Sequence, residues 1–179
     1  VYVDDNVSLA TVDLGGLETV GGTLNIGAWW WSYGNPALES LGLHRLSSVG
    51  GGLNIEDNDG LADLSGLESL ETVRGQLSIP DNDSLVAIEL PLLQTVSEQL
   101  YIHTHPSLDS VELLALSSVG GEISVYDNDA LRKIDASNLA LLGGSCRITR
   151  NDSLIHLDLL GLYSADSSLY IYSNASLTD

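Results

Sequence analysis

The chain has 179 residues and a formal charge of −19, from 6 basic and 25 acidic residues; that charge opposes binding to nucleic acid and to anionic membrane surfaces. Hydrophobic residues make up 44% and charged residues only 17%, which excludes a disordered acidic tail. No apolar run reaches membrane-spanning length, and the single Cys excludes an internal disulfide framework and a Cys-based zinc site.

The length suits one domain. The sequence does not begin with Met and shows no charged-then-apolar leader, so a processed or excised N-terminus is expected. Phe and Met are absent, Gly numbers 18, and Leu, Val, Ile and Ala carry the apolar content. That mixture points to a thin, regular core and to internal repeats.

A partial unit at 1–22 is followed by a 29-residue unit at 23–51 and a 24-residue unit at 52–75. Four 23-residue units follow at 76–98, 99–121, 122–144 and 145–167, and a partial unit closes the chain at 168–179. A period held across 1–179 predicts a single repeat solenoid, expected to be a segment of a longer chain or of an assembly.

Each rung opens with alternating apolar residues, as in Leu53 and Ile55 or Leu77 and Ile79. Period 2 marks a short strand with one face inside. An Asn follows: Asn6, Asn35, Asn58, Asn82, Asn128, Asn151 and Asn174, with His105 in its place in one rung. Asn tolerates left-handed backbone and bonds to turn backbone, so stacked rungs predict a ladder of amides. Two further apolar rows follow, as in Leu85, Ile88 and Leu90, then Leu93 and Val96. Many rungs close on Gly-Gly, as in Gly50-Gly51 and Gly120-Gly121, which predicts positive φ at a tight corner. The apolar spacings are too short for a crossing helix. The expected fold is all-β: a β-helix-like solenoid of three short extended sides, rising roughly 4.8 Å per rung to a rod of about 35 Å.

The pattern Leu-x-Ile-x-x-Asn-x-x-Leu with Leu-x-x-Val-Gly-Gly resembles the receptor L-domain family, related to leucine-rich repeats. The resemblance covers the whole chain and is closest in texture to bacterial or fungal cell-surface members. It implies a right-handed solenoid, an extracellular or cell-surface setting, and a binding or structural role without catalysis. The chain lacks the Cys-rich flanking modules of receptor L domains, so signalling is not carried over.

In a solenoid, function falls to outward positions, insertions or ends. Tyr101, His103, Tyr126, Tyr170 and Tyr172 fall at outward strand positions in the C-terminal half. Aromatics with polar tips suit protein or glycan surfaces; the alternative is cross-rung packing of good strand formers. The long second unit carries Trp29, Trp30, Trp31 and Tyr33 between strand and Asn turn. Three consecutive Trp cannot all point inward, so this loop either contacts a partner or shields a core edge.

Acids flank the Asn turns, as in Asp57-Asn58-Asp59 and Asp81-Asn82-Asp83. A solvated acidic edge is expected there; calcium is the alternative, without a recognised loop signature. Asn6, Asn82, Asn151 and Asn174 also read as glycosylation sequons, although a ladder Asn cannot both bond the turn and carry a glycan. Cys146 replaces Leu or Ile and is expected to be buried. No nucleophile elbow, metal-ligand motif or phosphate loop is present. Ice binding wants a flat Thr-rich face, and no outward column reads as Thr-rich.

These readings predict a non-enzymatic extracellular or cell-surface protein for adhesion, recognition or surface structure, with no cofactor or metal. Its partners would be protein or glycan, with no nucleic acid and no direct membrane insertion. The alternative is a filament or surface-layer subunit assembling end to end through uncapped ends.

Overall fold

The computed structural model of the chain describes residues 1–28 and 33–178. It is an all-β solenoid whose consecutive turns stack in parallel register, as the period predicts. Each complete turn contributes to three sides.

The first side is an eight-stranded parallel sheet in chain order: Tyr2–Val3, Leu24–Gly27, Leu53–Glu56, Leu77–Pro80, Leu100–His103, Ile123–Tyr126, Cys146–Thr149 and Leu169–Tyr172. Like residues pair across rungs, as in Leu77↔Leu100↔Ile123↔Cys146 and Ile79↔Ile102↔Val125↔Ile148. The second side has two sheets, Thr11–Asp13 with Ser40–Gly42, and Ala87–Glu89 through His156–Asp158. The third side is a seven-stranded sheet from Thr19–Val20 to Ser164–Ala165.

Inward residues of all three sides meet in one continuous core. Burial of each Leu or Ile contributes roughly 1.5–3 kcal/mol, so a rung with five or more such positions can order a short, flat turn of chain. Among the described residues no helix is long and apolar enough to cross a membrane.

The break in the second side has a sequence cause. Most rungs space their apolar residues as Leu85, Ile88, Leu90, Leu93 and Val96, whereas residues 52–75 read Leu61, Leu64, Leu67, Leu70 and Val73. The extra residue of that unit thus falls between Leu64 and Leu67. A spacing of three matches a 3₁₀ turn rather than a strand, and Ser65–Leu67 is a 3₁₀ turn. Gly66 is required within it: a Cβ there would lie 1.5 Å from the carbonyl oxygen of Leu41 in the adjacent rung.

Two backbone expectations are corrected. The left-handed residue is not the ladder Asn but the one before it: Asp5, Asp57, Asp81, Thr104, Asp127, Arg150 and Ser173 have φ of 52–61°. That residue turns the chain at the strand's end, which frees the Asn side chain to point inward. The closing glycine pairs do not adopt positive φ; among the described residues Gly27 is the one glycine that does. They are used for close approach instead. A Cβ on Gly120 would lie 2.1 Å from the carbonyl oxygen of Ser97, and one on Gly143 2.2 Å from that of Gly120.

Candidate functional site

The amide ladder is the frame on which the candidate face is mounted. Oδ1 of Asn82 accepts the backbone N–H of Asn58 at 3.1 Å, and Oδ1 of Asn151 accepts that of Asn128 at 3.2 Å. Nδ2 donates to the preceding rung's strand, from Asn82 to the Ile55 carbonyl and from Asn151 to the Val125 carbonyl, each at 3.0 Å. His105 reproduces both roles. Its Nδ1 accepts the Asn82 N–H at 3.2 Å and its Nε2 donates to the Ile79 carbonyl at 2.7 Å. That pairing requires the neutral Nε2–H tautomer, and burial pushes the His105 pKa below its ordinary value, against the nearby Ile79 and Asn82 carbonyl oxygens, which favour the protonated ring.

Asn35, Asn58, Asn82, Asn128 and Asn151 are fully enclosed. Of the sequons, Asn82 and Asn151 therefore have their attachment nitrogens buried and bonded in the folded chain. Asn6 is exposed and Asn174 half-buried. Nδ2 of Asn6 still donates to Asn35 Oδ1 at 3.1 Å, and that of Asn174 to the Ile148 carbonyl at 2.9 Å.

The outward side of the first sheet carries two columns, set by the strand register. One runs Ser78↔Tyr101↔Ser124↔Arg147↔Tyr170 and the other Pro80↔His103↔Tyr126↔Thr149↔Tyr172. Tyr101, His103, Tyr126, Tyr170 and Tyr172 thus share one face, as the alternation predicts. The small residues between them, Ser78, Ser124 and Thr149, are buried.

These side chains are organised, not scattered. His103 stacks on Tyr126 with ring centroids 4.5 Å apart and planes 15° from parallel. The Arg150 guanidinium lies over the same Tyr126 ring at 5.7 Å and holds Asp127 through two bonds, Nε–Oδ1 at 2.5 Å and N–Oδ2 at 2.8 Å. Arg147 lies over Tyr170 at 5.0 Å and reaches Glu122 at 3.4 Å. Cation–π pairs of this kind contribute about 0.5–1 kcal/mol at exposed sites. Burial, then the Asp127 and Asp81 carboxylates, raise the Tyr126 pKa, with Arg150 opposing. Burial and then Glu122 raise that of Tyr101. Burial lowers the His103 pKa, and Asp81 and Asp127 counter it. At neutral pH the face presents phenol hydroxyls, a neutral imidazole and paired guanidinium and carboxylate groups.

Arg147, Arg150, Glu122 and Asp127 belong to this face although the sequence reading singled out the aromatics alone. Arg147 shares a column with Tyr101 and Tyr170, and that position was the available signal. Arg150 occupies the left-handed turn position, where nothing in the spacing announces that it folds back over the Tyr126 ring.

Tyr33 is 76% exposed, with its N–H donating to Asp5 Oδ1 at 2.6 Å. Trp29, Trp30 and Trp31 lie outside the described residues. Nearby, Asn25 is fully enclosed although it stands on the outward side, and its Oδ1 accepts from Asn54 Nδ2 at 3.0 Å.

Cys146 is buried, and burial followed by the Glu122 charge pushes its thiol up to about 11, which makes it a packing residue at neutral pH. It borders an apolar cavity of about 20 Å³ that Ala136 and Val125 also line. Among the described residues no group of three or more His, Cys, Asp or Glu is placed to hold a metal. Along the acidic edge, burial and the charges of Asp83 and Asp57 raise the Asp59 pKa. Comparison with protein-family models, curated proteins and solved structures returned no match for this chain.

Proposed function

We propose that this solenoid is a non-enzymatic recognition or adhesion module of an extracellular or cell-surface protein, of the receptor L-domain kind that its repeat resembles. Its binding surface is the outward face of the first sheet in the C-terminal half. The observation that carries this reading is the Arg150–Tyr126–His103 stack, anchored by Asp127 and flanked by Tyr101, Arg147 and Tyr170. Rigid aromatics with polar tips, interleaved with Arg, are the side chains that dominate binding surfaces. Here they stand on a sheet whose geometry is held from inside by the ladder, so little ordering cost remains on binding. The Trp29–Trp31 segment is assigned to the same role on its composition, and Tyr33 on its composition and exposure.

A second reading, end-to-end assembly, has one observation in its favour. In the strand Leu169–Tyr172 the inward residues Leu169 and Ile171 are 53% and 43% exposed. Another copy stacked there would cover that surface, and light scattering across a concentration series tests it.

The test of the first reading is a screen of the chain against glycan and cell-surface protein panels. It is repeated with Tyr101→Ser plus Tyr126→Ser and, separately, with Trp29, Trp30 and Trp31 changed to Ser. Loss of the ligand in the tyrosine variant, with an unchanged circular dichroism spectrum, is the expected result. Retained binding in that variant removes the face from the function, and retained binding in the Trp variant removes the loop.

A further inference from the structure

A repeat fold provides its own controls, because every outward position recurs on other rungs under the same backbone constraint. On the third sheet the first outward strand position is Thr19, Ser48, Thr72, Thr95, Ser118 and Ser164 in six strands and Leu141 in the seventh. This hydroxyl column was not anticipated from the sequence. Leu141 interrupts it and is 54% exposed. One residue before that position stand Glu18, Ser47, Glu71, Gln94 and Ser117, but then Ala140 and Tyr163, and Tyr163 is 89% exposed. At the corner leading into this sheet, Leu160, also 89% exposed, takes the place held by Gly15, His44, Glu68, Pro91, Leu114 and Ser137 in other rungs, where Leu114 is 43% exposed. The fold does not ask for apolar residues at these positions, since it is built with polar ones elsewhere. Leu141 and Tyr163 are the exceptions, brought near each other by the pairing of Leu141 with Ser164, and Leu160 adds a third and more exposed apolar side chain on the same two rungs, the kind of surface that marks an interaction site.

The surroundings of the patch have a definite shape and charge. Leu141 borders a shallow groove of about 500 Å³ that runs over the backbones of Gly120 and Gly143, and Asp166 is the one charged residue among those lining it. On the other side of Leu160 runs an acidic column, Glu89↔Glu112↔Asp135↔Asp158, two residues before the corner. Lys133, in the neighbouring column of the same sheet, is engaged with Glu112 at 3.0 Å and Asp135 at 3.3 Å. In the N-terminal half the same corner carries His44 beside Glu68 and Arg45 paired with Glu18, a mixed and self-satisfied surface.

We infer that the patch formed by Leu141, Leu160 and Tyr163, with its glycine-floored groove, is a docking surface for a basic protein segment. That segment would place apolar side chains on the patch and Lys or Arg against Asp166 and Asp158. Charge selects this occupant over a second copy of the chain, because two molecules of −19 would bring acidic rims together. Aliphatic and aromatic anchors ringed by charge of one sign are how an acidic protein binds a cationic partner specifically. This surface lies on a different side of the rod from the tyrosine face.

The probe is a displayed library of short random peptides, selected on the immobilised chain. Selected peptides should combine Lys or Arg with aromatic or aliphatic residues and bind more weakly at high salt. They should lose about tenfold or more in affinity for the variant Leu141→Ser, Leu160→Ser, Tyr163→Ser. Ser occurs at all three positions on other rungs, and the single variant Leu141→Thr covers the case in which the triple variant fails to fold. The same peptides should bind Tyr101→Ser, Tyr126→Ser unchanged, which separates this surface from the face assigned above. Equal binding to wild type and to the patch variants overturns the inference, as does selection of peptides without basic residues. A wild-type dimer in sedimentation that the patch variant abolishes assigns the surface to self-association instead and also overturns it.

Discussion

The N-terminal and C-terminal halves of the rod have the same interior and different exteriors. Inside, Ile26 and Ile55 stand where Ile102 and Ile148 stand, all buried, and the ladder passes through both halves with His105 standing in for Asn. Outside, the first sheet changes from Asn25, Asn54 and Glu56 to Tyr101, His103, Tyr126 and Arg147, and the corner of the third sheet changes from paired ions to Leu160, Leu141 and Tyr163. A stacked rung needs its inward rows and its ladder residue, and several rungs add close-approach glycines. It places almost no demand on outward side chains, so a change confined to them points to selection for contact with something else.

The comparison breaks if the interiors are not equivalent. Ile55→Ala and Ile102→Ala should each cost about 2–5 kcal/mol in urea unfolding, of similar size in the two halves. A markedly smaller loss at one site would mean that half is held by its surface.

Where the halves meet, the ladder has its one titratable member. His105→Ala should cost about 1–3 kcal/mol, because it leaves the buried Asn82 N–H without its partner and removes the bond to the Ile79 carbonyl. His105→Asn should retain most of that stability. The wild-type fold holds His105 below its ordinary pKa, so the unfolded chain takes up the proton first. This contribution is intact above about pH 6.5 and is lost as pH falls from there through the lower folded value. His105→Asn should flatten that part of the stability–pH curve, while a curve identical to wild type would show that the ladder is indifferent to the substitution.

A smaller effect separates the turns. Thr104 holds φ of 61° at the position that Asp fills in several other rungs. A β-branched residue is strained there, and left-handed backbone costs roughly 1–2 kcal/mol for ordinary residues. Thr104→Asn should therefore raise stability by about 1 kcal/mol, seen as a higher thermal midpoint; no change would mean that its Oγ1 contact with His103 Nδ1, at 3.0 Å, offsets the strain.

Much of this architecture was legible in the chain itself. Leu77, Ile79, Asn82 and Leu85 recur at fixed offsets, because each must meet its own counterpart one rung away. Even His105 could be placed in the ladder by count. The 3₁₀ turn at Ser65–Leu67 was less visible, since it hangs on a single added residue between Leu64 and Leu67. The glycine pairs misled because Gly serves two purposes, positive φ and close approach, and one sequence cannot say which until the neighbouring rung is in place. At the candidate face the aromatics followed from alternation. Arg150 over Tyr126 did not, because a long side chain at a turn has many places to go.

The central claim is that the Tyr101, His103 and Tyr126 cluster is there for contact and not for stability. The direct measurement is the thermal midpoint of a variant that gives this face the small or acidic residues of the other rungs, Tyr101→Ser, His103→Glu, Tyr126→Glu. The account predicts a shift of no more than about 2–4 °C, corresponding to roughly 1 kcal/mol for a chain of this size. A fall several times larger would contradict it, by showing that the stack of His103, Tyr126 and Arg150 holds the C-terminal half together.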